Sequence, residues 1–281
     1  MTDDGTAAEW PHESGDEDRP RILYPVVGTE SKPILRMADA IAGELGAEIL
    51  VGHVVDPEDE SPTQVTHDVS KTVFRSKMDP AMSAPIESHS IQGTTPQDAI
   101  VRAAERYDID VILMAVQPDE DLDERVRGEA DVDVLAVSNA DGLRTITSIL
   151  LPIGREGISS EVVGVVDVLA GANDARIDLV YVDEDESDEA IAAGETVLSA
   201  CQDRFSDDRS TDAWVLSGES LTEGISHEST DHDLTVISTT DQGLLQRLLF
   251  GSADRQLRDS AAGPVLTMHR GSASPFLGRD D

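Results

Sequence analysis

The sequence is poor in cysteine and in long apolar runs, and both shortages exclude classes of protein. Cys201 is the only cysteine, which rules out an intrachain disulfide and a cysteine-based metal site and fits a reducing compartment. No stretch approaches the roughly 20 apolar residues of a membrane-spanning helix. Residues 1–19 are acidic and lack the apolar core of a signal peptide. We therefore expect a cytoplasmic protein with a disordered leader and no direct membrane insertion.

Positive charge is also scarce, because 57 acidic residues face only 21 lysines and arginines. The formal net charge of −36 is spread along the whole chain. Binding to nucleic acid needs a basic patch, and none is visible, so we expect no nucleic acid partner. Self-repulsion of this size is destabilising in dilute buffer and is screened at molar salt. The composition favours a halophilic protein; an acidic interaction surface is the alternative.

Common catalytic motifs are missing as well. The sequence contains no Gly-x-x-x-x-Gly-Lys-(Ser/Thr), no Gly-x-Ser-x-Gly and no His-Glu-x-x-His. Residues 227–233 gather two histidines and three acids, but we interpret them as turn residues between a helix and a strand rather than as metal ligands. His53 and His269 fall on predicted strands, where packing is a commoner role than catalysis. The sequence predicts a protein that is not an enzyme.

What the sequence does contain is an internal repeat. Ile22-Leu-Tyr-Pro-Val-Val27 returns as Ile149-Leu-Leu-Pro-Ile-Gly154, residues 108–114 return as 231–237, and 133–137 return as 264–268. We therefore predict two domains, at 20–141 and 146–270, followed by a tail at 271–281.

Both copies alternate short apolar runs with helical periodicity. Strands are predicted at 22–27, 47–55, 86–92, 111–116 and 132–138, and again at 148–153, 177–183, 212–217, 233–239 and 264–269. Helices are predicted near 34–45, 64–78, 96–107, 157–171, 188–203, 220–229 and 251–261. This alternation produces parallel βαβ units with right-handed crossovers. The predicted fold is α/β, with two doubly wound, open, five-stranded parallel sheets. The apolar last strands, 134–137 and 265–268, are expected to pair with each other.

The two copies differ in length just before their last strands, where the second is eight residues longer. The longer connection places Gly251 and Ser252 at a predicted helix start, where backbone N–H groups and a hydroxyl suit a phosphate. Plain helix capping is the alternative. In the first copy, residues 115–124 form a short acidic connection that cannot wrap a triphosphate. We expect the first domain to be a scaffold or pairing partner.

The order of these motifs resembles the universal stress protein family. The resemblance rests on the two Ile-Leu-x-Pro openings, the Asp-x-Asp before a strand, Gly243-Leu-Leu-Gln-Arg-Leu-Leu-Phe-Gly-Ser252 and the following Pro-Val-Leu. It covers about residues 20–139 and 146–270. It implies an adenine nucleotide alpha hydrolase-like α/β domain that pairs through its last strand. In some members it also implies ATP binding with little hydrolysis.

The resemblance also implies a set of nucleotide-contacting positions. The glycine signature of nucleotide-binding members falls on Ser238, Asp241 and Gly251, and an aspartate of those members falls on Gly154, or on Val27 in the first copy. The implied contacts are Ile153, Gly154, Ser238, Asp241, Gly243, Gly251, Ser252 and Ala253. Asp241 would repel phosphates unless a metal ion bridges them. Weak binding of ATP, ADP or AMP, or no binding, is therefore implied.

Three functions remain open from the sequence. The first is a non-enzymatic stress-response or regulatory module. The second is a cytoplasmic regulatory partner of a membrane transporter, because similar domains are attached to amino-acid permeases and cation exchangers. The third is a nucleotide sensor or weak ATPase, which is disfavoured because no general base or metal clamp is evident near Gly251. The expected partners are the two domains themselves, a second copy in a homodimer, and a protein such as a transporter.

Overall fold

The computed structural model describes residues 19–55, 82–116, 121–218, 220–238 and 263–271. Within these ranges the strands are β1 (Arg21–Val26), β2 (Glu48–Val55), β3 (Ile86–Gln92), β4 (Val111–Ala115), β5 (Asp133–Ser138), β6 (Ser148–Ile153), β7 (Arg176–Asp183), β8 (Thr211–Ser217), β9 (Leu234–Ser238) and β10 (Val265–His269). The helices are α1 (Lys32–Leu45), α2 (Pro96–Arg106), α3 (Leu122–Glu129), α4 (Ser160–Asn173), α5 (Asp188–Gln202) and α6 (Leu221–Glu228). None of these helices is both long and apolar enough to cross a bilayer.

The strands form one sheet in the order β3-β2-β1-β4-β5-β10-β9-β6-β7-β8. Within the first half (β1 to β5) and within the second half (β6 to β10) every pair is parallel, and the two halves have the same strand order. The predicted α/β fold with five-stranded, doubly wound halves is confirmed. The predicted strands agree with the observed ones to within one residue over the described part of the chain.

The two halves meet where β5 and β10 pair antiparallel, and we call this pair the seam. Val137 lies opposite Leu266, and Leu135 lies opposite Met268. Just outside the seam, the side-chain amide of Asn139 donates to the carbonyl of Gly263 at 3.2 Å. The predicted pairing of the last strands is therefore confirmed.

The apolar core is arranged differently on the two faces of the sheet. On the face covered by α1 and α4, a single cluster runs across the seam and includes side chains from both halves, and α1 packs against α4. On the opposite face each half has its own cluster. The two halves therefore share one core on the α1/α4 face, which a description as two separate domains does not convey.

Helix α3 was not predicted, because residues 115–124 were interpreted only as an acidic connection. That interpretation is wrong at its end, where the helix begins at Leu122. Leu122 and Val126 are one turn apart and both are buried, while Arg127 pairs with Asp123 at 3.4 Å. Burial of two apolar side chains on a helical repeat outweighs the polar composition. The helices predicted near 64–78 and 251–261 lie outside the described residues.

The junction between β9 and β6 depends on Asp233. Its Oδ2 accepts hydrogen bonds from the backbone N and Oγ1 of Thr147 at 2.8 and 2.6 Å, and from the backbone N of Ser148 at 3.1 Å. Partial burial acts to raise the pKa of Asp233, but these hydrogen bonds outweigh it and hold the pKa below its usual value.

We expect Asp233→Ala to lower the free energy of unfolding by about 1–2 kcal/mol, because it leaves these donors without their acceptor. The pKa of folded Asp233 lies below the value of about 3.9 in an unfolded chain. The difference in free energy of unfolding between the variant and the parent is therefore full above about pH 5. It disappears as the pH falls through the lower pKa of the folded state. Urea unfolding from pH 7 to pH 3 measures this. Asp231→Ala, at an exposed position nearby, is the control; equal losses in the two variants would contradict the prediction.

Candidate functional site

The sheet opens at the carboxyl ends of the strands in both halves. Only Ile149 and Leu150 of β6 pair with β9, whereas six residues of β6 pair with β7. Likewise, only Ile22 and Leu23 of β1 pair with β4. The central strands of each half thus separate toward their carboxyl ends. Each half has a crevice at the switch point where doubly wound sheets bind ligands.

Three of the sequence-predicted site residues border the crevice of the second half. Ile153 and Ser238 are the last residues of the neighbouring parallel strands β6 and β9, and buried Gly154 follows Ile153. The other predicted site residues lie outside the described residues: Asp241, Gly243, Gly251, Ser252 and Ala253.

A tight turn follows β6 and carries an arginine. The backbone N of Gly157 donates to the carbonyl of Gly154 at 3.0 Å, and Gly157 has a φ of 80°, which favours glycine. Helix α4 was predicted from residue 157 but begins at Ser160, because this turn intervenes and Ser159 caps the helix. Arg155 stands at the tip of the turn, and its side chain is 72% exposed.

Arg155 is held by groups at the end of the next strand, β7. Its Nη2 lies 3.4 Å from Oδ2 of Asp183. The electrostatic interaction and hydrogen bond with Tyr181, followed by the attraction of Asp183, raise the pKa of the guanidinium. Arg155 therefore presents a permanent positive charge at the carboxyl ends of β6 and β7. Sequence reasoning missed it; the signal was an arginine directly after the Pro-Ile-Gly that ends the strand.

A small cavity lies at the crevice of the first half. It is bordered by Val26, Val27, Leu122 and Asp123 and has a volume of about 20 Å³, whereas small-molecule sites need about 300 Å³ or more. Leu122 and Asp123 come from α3 and are buried. Tyr24 also borders the cavity, and burial raises its pKa to about 12 against the opposing effect of its hydrogen bond with the Ser31 backbone. The small volume of the cavity supports the prediction that the first half is a scaffold.

The histidine- and acid-rich run 227–233 has a structural arrangement. Nε2 of His232 lies 2.8 Å from Oδ2 of Asp178, and both side chains are buried. The Nδ1 atom lies 2.7 Å from the Glu228 carbonyl, and Arg176 also pairs with Asp178, at 2.7 Å. No group of three or more potential metal ligands exists in the described ranges. No sequence pattern indicates the buried His232–Asp178 pair, because its members are 54 residues apart.

Comparison with known proteins gives a family for the first half. Residues 19–141 match the universal stress protein family, Usp. No curated protein matches the sequence.

Solved structures resemble the whole chain. A universal stress protein from Archaeoglobus fulgidus DSM 4304 is 15% identical, with 90% of this chain and 97% of that chain covered and a TM-score of 0.57. A provisionally assigned universal stress protein from Pseudomonas aeruginosa UCBPP-PA14 is 17% identical, with coverages of 89% and 93% and a TM-score of 0.62. The cytoplasmic domain of a prokaryotic cation chloride cotransporter is 14% identical, with coverages of 92% and 98% and a TM-score of 0.58. Residues 19–141 therefore match the universal stress protein family, and about nine-tenths of the chain has the fold of the solved universal stress proteins.

Proposed function

We propose that the protein is a non-enzymatic regulatory module of the universal stress type, in which the second half binds an adenine nucleotide weakly and the first half is its fixed pairing partner. The difference between the two crevices carries this proposal. In the first half Leu122 and Asp123 border a cavity of only about 20 Å³. In the second half a glycine turn after β6 carries Arg155, which is held near the end of β7.

The chemistry at the second crevice favours weak binding. A guanidinium can donate two parallel hydrogen bonds to a phosphate, and Arg155 is exposed enough to do so. Asp183, however, already attracts Arg155, and the resemblance places the carboxylate of Asp241 among the phosphate-contacting positions. A divalent cation would offset these acids. Because phosphoryl transfer needs a metal clamp and a positioned nucleophile, and the motifs that supply them are missing from the sequence, the proposed role is binding.

We expect Arg155→Gln to weaken nucleotide binding about 5- to 20-fold, the effect of losing one partly solvated charged hydrogen bond. Asp241→Gly should tighten binding and reduce its dependence on magnesium, and Ser252→Ala should weaken it. Calorimetric titration with ATP, ADP and AMP, with and without Mg²⁺, measures these effects.

Arg125→Gln is the matched control, because Arg125 is also exposed and pairs with an aspartate, Asp121, at 2.7 Å in the first half. An equal loss in Arg125→Gln would mean that the effect of Arg155 is a general effect of charge. No detectable heat in any variant, including Asp241→Gly, would overturn nucleotide binding and leave an interaction module.

A second candidate is a regulatory partner of a membrane transporter. It is favoured by the similarity in fold to the cytoplasmic domain of a cation chloride cotransporter over nearly the full length of both chains. Cross-linking of the tagged chain to membranes of its own source, followed by mass spectrometry, tests it. Recovery of a transporter by the folded parent, but not by a variant unfolded at the seam, would support this candidate.

A further inference from the structure

A groove with a volume of about 550 Å³ lies in the first half, between helix α2 and the outer strand β3. Buried Ile91, Ala99 and Ala103 contribute its apolar lining. Polar side chains, among them His89 and Arg102, line it as well. The volume is in the range of small-molecule sites. The lining residues differ from those of the crevice between β1 and β4, so this is a separate feature.

Two arginines line the groove, in a chain with only 21 lysines and arginines. Arg102 and Arg106 are one turn apart on α2, so both lie on the same side of the helix, and both are exposed. Three acids are nearby, of which only Glu105 lines the groove. Asp98 is 3.8 Å from Arg102, and Glu87 is 3.3 Å from His89.

The net charge of the chain does not decide what binds here. Salt screens interactions beyond about 10 Å at 0.1 M, so an anion in the groove responds mainly to the charges that line it. No basic patch is visible in the sequence. The two arginines lie on α2 and His89 lies on β3, and the fold brings these two elements together.

Tyr107 fixes the cationic end of the groove. The Arg106 guanidinium lies 5.5 Å from the centroid of the Tyr107 ring, and the His89 ring lies 5.6 Å from the same ring. The backbone of Tyr107 is held on both sides. Its N donates to the Ala103 carbonyl at 3.0 Å, and its carbonyl accepts from Arg21 at 3.0 Å. Side chains that are already positioned lose less entropy when a ligand binds.

The second half has different side chains at the corresponding place. The residue pairs between β2 and β3 can be matched in order with those between β7 and β8. The fourth pair is Gly52 opposite His89 in the first half and Val180 opposite Trp214 in the second half. The Trp214 indole packs against the apolar cluster of the second half and stacks 6.5 Å from the His232 ring. Where the second half has an apolar side chain and an indole, the first half has a glycine and an imidazole.

We propose that this groove binds a small organic dianion, a phosphate monoester or a dicarboxylate, with Arg102 and Arg106 donating to its oxygens and the apolar floor contacting its carbon skeleton. Paired guanidiniums suit both kinds of oxyanion. The proposed site lies in the half that the proposed nucleotide site does not use, so the two can fail independently.

Calorimetry with glucose 6-phosphate and with succinate tests the proposal, at the lowest KCl concentration that keeps the protein folded. Unphosphorylated glucose is the neutral control ligand. We expect at least one dianion to bind and the double variant Arg102→Gln/Arg106→Gln to bind it at least about 10-fold more weakly, as the loss of two charged hydrogen bonds implies. Arg125→Gln, which removes a similar exposed arginine from α3, should bind as the parent does.

His89→Trp places the residue of the second half in the groove and leaves both guanidiniums in place. We expect it to abolish binding, with a circular dichroism melt showing that it and the double variant fold. Binding that survives both changes, or no binding of either dianion by the parent, would overturn the proposal. A loss on Ser252→Ala with no loss on Arg102→Gln/Arg106→Gln would also overturn it, since the anion would then bind at the nucleotide crevice.

Discussion

Leu266→Asp will unfold both halves of the protein together. Leu266 is fully buried, lies opposite Val137 across the seam and belongs to the core cluster that both halves share. Burying an unpaired carboxylate there costs several kcal/mol, a large part of the roughly 5–15 kcal/mol that keeps a protein folded. The milder Leu266→Ala should cost about 2–5 kcal/mol.

Urea unfolding followed by circular dichroism and by Trp214 fluorescence measures this. The circular dichroism signal reports on the whole sheet, and Trp214 reports on the second half. We expect the two transitions to coincide and to shift together in both variants. Gln92→Asp, which adds the same charge at the exposed end of the outer strand β3, should change little. A first half that stays folded while Trp214 reports unfolding would show that the shared core does not couple the halves.

The second large effect is that of salt. Uncompensated charge concentrates at particular places, such as residues 184–189 before and at the start of α5, where five of six residues are acidic and all six are exposed. Only part of this negative charge interacts favourably with the N-terminus of α5. We expect the midpoint of thermal unfolding to rise steeply from 0.1 M to 2 M KCl. If screening restores about 5 kcal/mol, the midpoint rises by about 10–20 °C.

Sucrose at matched osmolality is the control, because it favours the compact state without screening charge. The rise should be much smaller in sucrose than in KCl. The variant Glu184→Gln/Glu189→Gln should show a shallower dependence on KCl than the parent. A midpoint that is indifferent to KCl would mean that the acids are neutralised locally.

The strands could be predicted from the sequence because a sheet covered on both faces requires apolar, β-branched runs. Residues 111–115 and 148–153 are examples, and their ends agree closely with the structure. The apolar last strands also revealed the seam, since such edges are rarely left open. The core that runs across the seam could not be predicted in the same way. It depends on α1 and α4 meeting on one face, and no local pattern encodes that contact.

The candidate sites were less predictable, for reasons that differ from one residue to the next. Gly154 was found through a motif, whereas Arg155, one residue later, was missed because its role depends on Asp183 from the neighbouring strand. Helix α3 was missed because two buried apolar residues are a weak signal among acids. The groove beside β3 was missed because it forms only where α2 packs beside β3. Motifs reveal positions that act through the backbone, but side chains that act together across elements become visible only in the fold.

The antiparallel seam has a consequence for how the molecule can specialise. Because β5 and β10 run in opposite directions, the crevices of the two halves open at opposite ends of the sheet. Because a short link joins β5 to β6, every molecule contains one copy of each half, and dilution cannot separate the two halves. In a pair of identical chains, a substitution that closes one crevice closes both. In this covalent pair, each crevice can change separately. Leu122 and Asp123 can close the first crevice while substitutions alter the second, and neither change affects the shared core.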